Sequence, residues 1–311
     1  MKILFVSSGN SGKTSILVQR QAESLINQGM DIDYYLVKGK GIIGYLKNIV
    51  PLRKFLKKNQ FDIIHAHYSL SAFVASLAGA RPLVVSLMGS DVKSGGLYKN
   101  IIRIFKFFFS WSALIVKSED MKTSLGFEDA YVIPNGVNLE HFKPIPANYC
   151  KEKLSWSNTK RHILFAADPT PFEKNYQFAL AAFDLIKDDL IEFHVLEGVD
   201  PEKTPIWFNA ADIIILTSLW EGSPNVIKEA MACNCPIVST DVGDVKWVIG
   251  NTEGCFISSF DVTDFSSKIN DALSFAERLG STKGRTRVIE IGIDAESVAK
   301  KIIEIYNKLM S

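Results

Sequence analysis

The chain has 311 residues, 47% of them hydrophobic and 22% charged, with 35 Lys/Arg against 34 Asp/Glu and a net charge of +1. That apolar content excludes an intrinsically disordered chain and is enough for two domains of ordinary size. The four cysteines, Cys150, Cys233, Cys235 and Cys255, form no CxxC pair, which excludes zinc knuckles and a disulfide scaffold and leaves buried free thiols in a reducing compartment.

The first apolar run, residues 2–7, ends in Ser and Gly and reads as a strand with its loop rather than as a secretory leader. A helix follows over 14–28, stopped by Gly29, then a strand over 31–37. Residues 42–58 form a basic helical stretch with a break expected at Pro51. Strands are predicted over 61–65, 82–87, 113–117 and 131–134, with helices over 69–78 and 97–111. The most apolar stretch, 101–116, is interrupted by Arg103 and Lys106 and falls short of the ~20 residues that a membrane-spanning helix needs. Short strands of unbroken apolar character alternating with helices indicate βαβ units in a parallel sheet covered on both faces.

Residues 142–160, with Pro144, Pro146 and scattered polar residues, break this rhythm and read as a linker. A second series then begins, with strands over 162–167, 191–196, 213–217 and 236–240 and helices over 175–186 and 226–232. A closing amphipathic helix over 294–309 has Val298, Ile302, Ile305 and Leu309 on one face. The expected organisation is therefore two doubly wound Rossmann-like α/β domains, 1–150 and 151–290, with 291–311 as a closing helix. Ligands of such sheets bind at the carboxyl ends of the strands, here in a cleft which the two domains face.

Charge is unevenly distributed. Residues 34–118 carry 13 Lys/Arg and two acids, a net +11, which leaves −10 for the rest of the chain. A basic face on the first domain suits an anionic lipid surface or an anionic acceptor. Phe107, Phe108 and Phe109 lie within this segment, most of them expected in the core. Nucleic acid is not expected as a partner.

The most informative segment is 219–232, Leu-Trp-Glu-Gly-Ser-Pro-Asn-Val-Ile-Lys-Glu-Ala-Met-Ala. Ser223 reads as an N-cap and Pro224 as the first helical residue, so the amides at this helix start are placed to receive a diphosphate. Two carboxylates, Glu221 and Glu229, flank that anion site, which makes sense if they accept hydrogen bonds from sugar hydroxyls.

Glu221 to Glu229 is the E-x7-E signature of retaining GT-B glycosyltransferases, and its surroundings resemble family 4. The likeness continues through residues 229–244 and through 132–144, Val-Ile-Pro-Asn-Gly-Val-Asn-Leu-Glu-His-Phe-Lys-Pro, and covers nearly the whole chain in order. The resemblance implies that Glu229 binds the donor's ribose and Glu221 the transferred sugar. It also implies that the backbone of Gly222, Ser223, Pro224, Asn225 and Val226 holds the diphosphate or sugar.

Three departures stand out. Where the family has an Arg that opens the second domain, this chain has Asp168, although Lys174 matches the lysine that follows it. The strand–helix–strand usual after 191–196 is shortened to a crossing over 197–205. A His that commonly precedes Gly89 is replaced by Met88. Asp91 either contacts acceptor or sugar or caps the following segment. His65 is expected to be buried, leaving His67 as the candidate that faces ligand. Residues 7–14, Ser-Ser-Gly-Asn-Ser-Gly-Lys-Thr, carry the Gly-Lys-Thr of a phosphate loop but have Ser7 at the first glycine position. Gly9 and Gly12 instead suit the family's acceptor-side turn, where substrate approaches the backbone.

The function implied is metal-independent transfer, with retention, from a nucleotide sugar (UDP- or GDP-sugar) to a glycan, lipid-linked or small-molecule acceptor. No cofactor and no metal-ligating residues are expected, and the place implied is the cytoplasm, at the inner face of the membrane. The alternatives are a GT-B protein that only binds a nucleotide sugar or glycan, and a P-loop ATPase.

Overall fold

The computed structural model describes residues 1–10, 12–89 and 96–311; Asp91 lies outside the described residues. The chain forms two compact units, Met1–Gly136 with Ala295–Ser311, and Val137–Asp294. Each is a parallel sheet flanked by helices.

In the first unit the strands are β1 (Lys2–Ser8), β2 (Asp31–Val37), β3 (Ile63–His67), β4 (Leu83–Ser86), β5 (Ala113–Val116) and β6 (Tyr131–Val132), in the order β2-β1-β3-β4-β5-β6. The central run of β1, Ile3–Val6, is apolar because both its faces are covered. Leu4 and Val6 enter one core with Leu52, Val74 and Ile102, while Ile3 and Phe5 enter another with Val18, Leu25 and Ile302. β3 begins two residues later than the apolar run suggests, because Phe61 packs from before the strand. The basic stretch forms two helices, Gly41–Leu46 and Ile49–Lys58. They divide at Lys47-Asn48 rather than at Pro51, which occupies the first turn of the second helix, where no backbone N–H is needed. In helix Gly96–Phe109, Phe109 packs on the core, but Phe107 and Phe108 are 79% and 71% exposed, contrary to the core placement expected for most of the three.

In the second unit β7 (Arg161–Phe165), β8 (Ile191–Val195), β9 (Ile213–Leu216), β10 (Ile237–Thr240) and β11 (Cys255–Ser258) lie in the order β11-β10-β9-β7-β8. β11, absent from the strands predicted, pairs along β10. Residues 142–160 are not a linker. Phe142 is buried with Phe208 and Leu164, and Ala147–Leu154 is a helix whose Lys151 reaches the Asp212 carboxylate at 3.2 Å. The unit therefore starts at Val137, whose amide bonds the Ile293 carbonyl at 3.0 Å.

The closing helix, Ala295–Met310, belongs to the first unit. Its Val298, Ala299, Ile302, Ile305 and Tyr306 complete the core that contains Ile3 and Phe5. The Tyr306 hydroxyl meets His65 Nδ1 at 2.5 Å, and His65 Nε2 meets the Ser86 hydroxyl at 2.8 Å. Burial holds the His65 pKa well below its usual value, so the ring is neutral and both nitrogens are satisfied by hydroxyls. Tyr306→Phe leaves His65 Nδ1 buried without its partner. The expected loss is about 1–3 kcal/mol, read as a lower urea midpoint with an unchanged slope.

Candidate functional site

The segment 217–225 is held from three sides. β9 delivers the chain to Thr217 and Ser218, both fully buried. The Thr217 hydroxyl donates to the carbonyls of Lys174 and Asn175 at 2.9 and 3.2 Å, and the Leu219 amide donates to the Glu173 carbonyl at 2.8 Å. From β10, the Thr240 hydroxyl donates to the Ser218 carbonyl at 2.8 Å. From the loop after β10, Gly243 approaches so closely that a Cβ there would lie 2.6 Å from the Gly222 carbonyl oxygen, and its φ of +58° disfavours any side chain.

Within this frame Glu221 is fixed. Its Oε1 accepts from the Lys174 ammonium at 2.6 Å and from the Ser218 hydroxyl at 2.8 Å. Lys174 ends the 3₁₀ turn Phe172–Lys174, closed by Asn175 in the left-handed conformation at φ 53°. The two side chains remain 17% (Glu221) and 26% (Lys174) exposed, so a ligand can reach the pair. Beside it Phe172 and Trp220 are 79% and 41% exposed, with ring centroids 6.3 Å apart. Neither aromatic was singled out from sequence; solvent exposure of two large rings beside a charged pair is legible only in the fold.

Helix Asn225–Ala232 has Pro224 as its N-cap, one residue later than the cap at Ser223 expected from the Ser-Pro pair. The Ser223 hydroxyl is engaged elsewhere, accepting from the Lys228 ammonium at 3.0 Å. Lys228 is only 1% exposed. Burial lowers its pKa to about 8, against the opposing pull of Asp244 and Glu229. Lys228 thus places a second cation behind the loop, one that periodicity did not mark as buried. Glu229 is half-buried on the same helix.

Asp168 does not take the place of a phosphate-binding Arg. It lies in solvent and accepts the Thr170 amide at 2.8 Å, a local turn bond that lowers its pKa.

In the first unit, His67 is buried beside His65, not directed outward. The two are two apart on one strand and share a face, and His67 stacks on His65 and on Phe5 with centroids 4.3 and 4.4 Å away. Neither ring nitrogen has a hydrogen-bond partner among the described residues. Burial, with the buried Lys117 nearby, lowers the His67 pKa to about 3, which removes it as a solvent-facing base at neutral pH. Gly9 is a packing glycine, since a Cβ there would meet Leu36 at 2.6 Å, whereas Gly12 has φ +88° and open space around its Cα. The Thr14 hydroxyl bonds Ser7 at 2.8 Å and the helix starts only at Ile16, capped by Ser15. Thr14 is therefore neither on the helix nor free for a metal, as a phosphate-loop threonine must be.

Among the described residues, the His, Cys, Asp and Glu side chains close enough to share a metal are His162, Glu192 and His194, none of them in the 217–225 segment.

The model of Glycosyltransferase Family 4 matches residues 19–141, and that of Glycosyl transferases group 1 matches 190–274. The UDP-Gal:alpha-D-GlcNAc-diphosphoundecaprenol alpha-1,3-galactosyltransferase of Escherichia coli is 26% identical over 280 residues, which cover 76% of this chain and 71% of that protein. Other curated relatives are spanned over 49% to 82% of their lengths. Sucrose-phosphate synthase from Thermosynechococcus elongatus has the same fold, with a TM-score of 0.83 at 17% identity over 99% of both chains. So does Anabaena HepE in complex with UDP, with a TM-score of 0.76 at 17% identity over 99% of this chain and 100% of that one. Two parallel α/β units, two family models matched in order and glycosyltransferases among its relatives establish that the chain belongs to the family 4 glycosyltransferases of GT-B fold.

Proposed function

We propose that this chain transfers a sugar from a nucleotide-sugar donor, with retention and without a metal, to a lipid-linked or glycan acceptor. The observation that carries the reading is the Lys174–Glu221 pair, 2.6 Å apart and partly open, in the loop that leads into helix Asn225–Ala232. The helix start and the Lys174 ammonium supply positive charge for a diphosphate leaving group. Glu221, already bonded to Ser218, accepts from a hydroxyl of the transferred sugar, and Glu229 accepts from the ribose. As the bond from the anomeric carbon to the diphosphate oxygen breaks, the acceptor oxygen bonds to that carbon on the same face and its proton passes to the departing phosphate. Anabaena HepE has been captured with UDP and with UDP-glucose, and the Escherichia coli relative is named for UDP-Gal and a diphosphoundecaprenol acceptor. These support a UDP-sugar ahead of a GDP-sugar, and a lipid-linked acceptor.

An anionic membrane surface is the partner we infer for the first unit. Ile42, Ile43, Leu46 and Val50 are 73%, 73%, 47% and 58% exposed among Lys40, Lys47, Lys54, Lys57 and Lys58. Phe107 and Phe108 project from a helix whose Ile102 enters the same core as Tyr45 and Leu52 of those basic helices. Each lysine near an anionic leaflet contributes about 1 kcal/mol, screened by salt. Vesicles containing phosphatidylglycerol should sediment the protein at low salt. Phe107→Ser with Phe108→Ser should weaken that binding, and a failure to bind anionic vesicles at any salt would remove the membrane from this reading.

Lys174→Ala should lower kcat/KM by about ten- to a hundredfold, from the roughly 1.5–3 kcal/mol of a hydrogen bond to a charged group. The two glutamates should fail differently. Glu229 acts on a part of the donor that does not react, so Glu229→Ala should raise the donor KM and weaken binding of the free nucleoside diphosphate. Glu221 acts beside the reacting carbon, so Glu221→Ala should lower kcat with nucleotide affinity nearly intact. Calorimetry with UDP beside steady-state kinetics distinguishes them, and the reverse pattern would refute the assignment.

A further inference from the structure

The β7–β8 edge of the second sheet carries a polar cluster with no part in the proposed transfer. β8 is an edge strand, two strands from β9. In the parallel register His162 stands opposite Glu192 and Leu164 opposite His194. All three polar residues share the face of Leu164, where a covered sheet ordinarily presents apolar side chains. His162 is fully buried, and the side chains of His194 and Glu192 are 18% and 34% exposed.

Three donor atoms converge there. His162 Nδ1 lies 2.9 Å from His194 Nε2 and 3.6 Å from Glu192 Oε2, and His194 Nε2 lies 3.8 Å from the same oxygen. Ligands bonded to zinc at 2.0–2.1 Å in a tetrahedron stand about 3.3 Å from one another, so this triangle has the size of one tetrahedral face. The protonation pattern suits a metal as well. His162 Nε2 is 2.7 Å from the Ser157 carbonyl oxygen, which can only accept. Nε2 therefore carries the hydrogen and Nδ1 the lone pair, the arrangement that a metal-ligating imidazole takes when a backbone carbonyl orients it. His194 Nε2–H then donates to His162 Nδ1, and its hydrogen lies between the atoms that would hold the ion.

The side chains around the triangle also restrain it. Trp156 stacks on His194 at 3.6 Å between centroids with 14° between planes, and on His162 at 4.9 Å and 26°. The Lys160 ammonium holds Glu192 Oε1 at 2.9 Å, which leaves Oε2 for the triangle.

We propose that His162 Nδ1, His194 Nε2 and Glu192 Oε2 bind one divalent transition-metal ion, zinc foremost, which pins the edge strand β8 to β7. Two imidazoles and a carboxylate are borderline ligands of the kind that zinc takes, with a water completing the fourth position on the partly exposed side. On binding, the His194 proton moves from Nε2 to Nδ1, and the two nitrogen lone pairs and the carboxylate oxygen bond to the ion. The site stands apart from the residues of the proposed transfer.

The test uses the full chain, free of any histidine tag and stripped with chelator, titrated with cobalt(II) and followed by the visible absorption of a tetrahedral complex, with zinc(II) as competitor. One equivalent should bind, zinc should displace cobalt, and zinc should raise the thermal midpoint. His194→Gln should weaken zinc by more than about a hundredfold, beyond the 10- to 100-fold of an outer-shell change. Glu192→Gln, which keeps both imidazoles and the Trp156 stack, should weaken it less while leaving the circular dichroism unchanged. Absence of saturable binding of either ion, or equal affinity in wild type and the folded variants, would overturn the proposal.

Discussion

The ion pair between Lys174 and Glu221 organises the loop that leads into helix Asn225–Ala232, and most of what surrounds it serves to keep those two side chains in register. They come from segments 47 residues apart in the chain. Their meeting depends on backbone carbonyls being satisfied by hydroxyls at strand ends: Thr217 to the carbonyls of Lys174 and Asn175, and Thr240 to that of Ser218. Such bonds are individually modest, about 1 kcal/mol each, but each is made where a strand leaves the sheet and its amides and carbonyls need new partners. The hydroxyls at these positions therefore fix the exit direction of the loops. Gly243 completes the arrangement by letting one loop backbone lie against another at a distance no side chain permits.

Buried charge has a related role behind the loop. Lys228 is nearly inaccessible, and burial lowers its pKa to about 8 although Asp244 and Glu229 favour its charge. A cation in this position costs desolvation energy and is retained only where charged or polar partners offset it. Its bond to the Ser223 hydroxyl ties the helix to the loop residue two positions before the helix start. In the first unit His65 is dealt with differently. It is kept neutral and bridged by the hydroxyls of Tyr306 and Ser86, which ties the closing helix to the sheet centre.

The edge of the second sheet shows a third solution. An exposed strand edge is a site of unwanted pairing unless it is blunted. Here the edge strand carries Glu192 and His194 toward Trp156 and His162, so that polar side chains and a stacked indole cover the face next to that edge.

Much of the architecture was legible in the residues. Short apolar runs such as 3–6 and 213–216, alternating with helices, indicated strands covered on both faces, and the helix over 69–78 coincides with its observed bounds. The spacing of Val298, Ile302 and Ile305 marked the buried face of the closing helix. Glu221, Lys174 and Glu229 were singled out by the resemblance of their segments to family 4. What periodicity could not decide was how chain segments far apart meet. The closing helix follows the second unit in sequence but packs on the first, because its apolar face completes the core around Ile3 and Phe5 and Tyr306 meets His65 there. Residues 142–160 look like a linker by composition, yet Phe142 fills the second core. His67 was expected to face ligand although it shares a strand face with the buried His65. The burial of Lys228 and the convergence of His162, Glu192 and His194 depend on side chains meeting across strands and loops. A sequence encodes such distances only through the packing of the whole domain, so these contacts were decided by the tertiary structure alone.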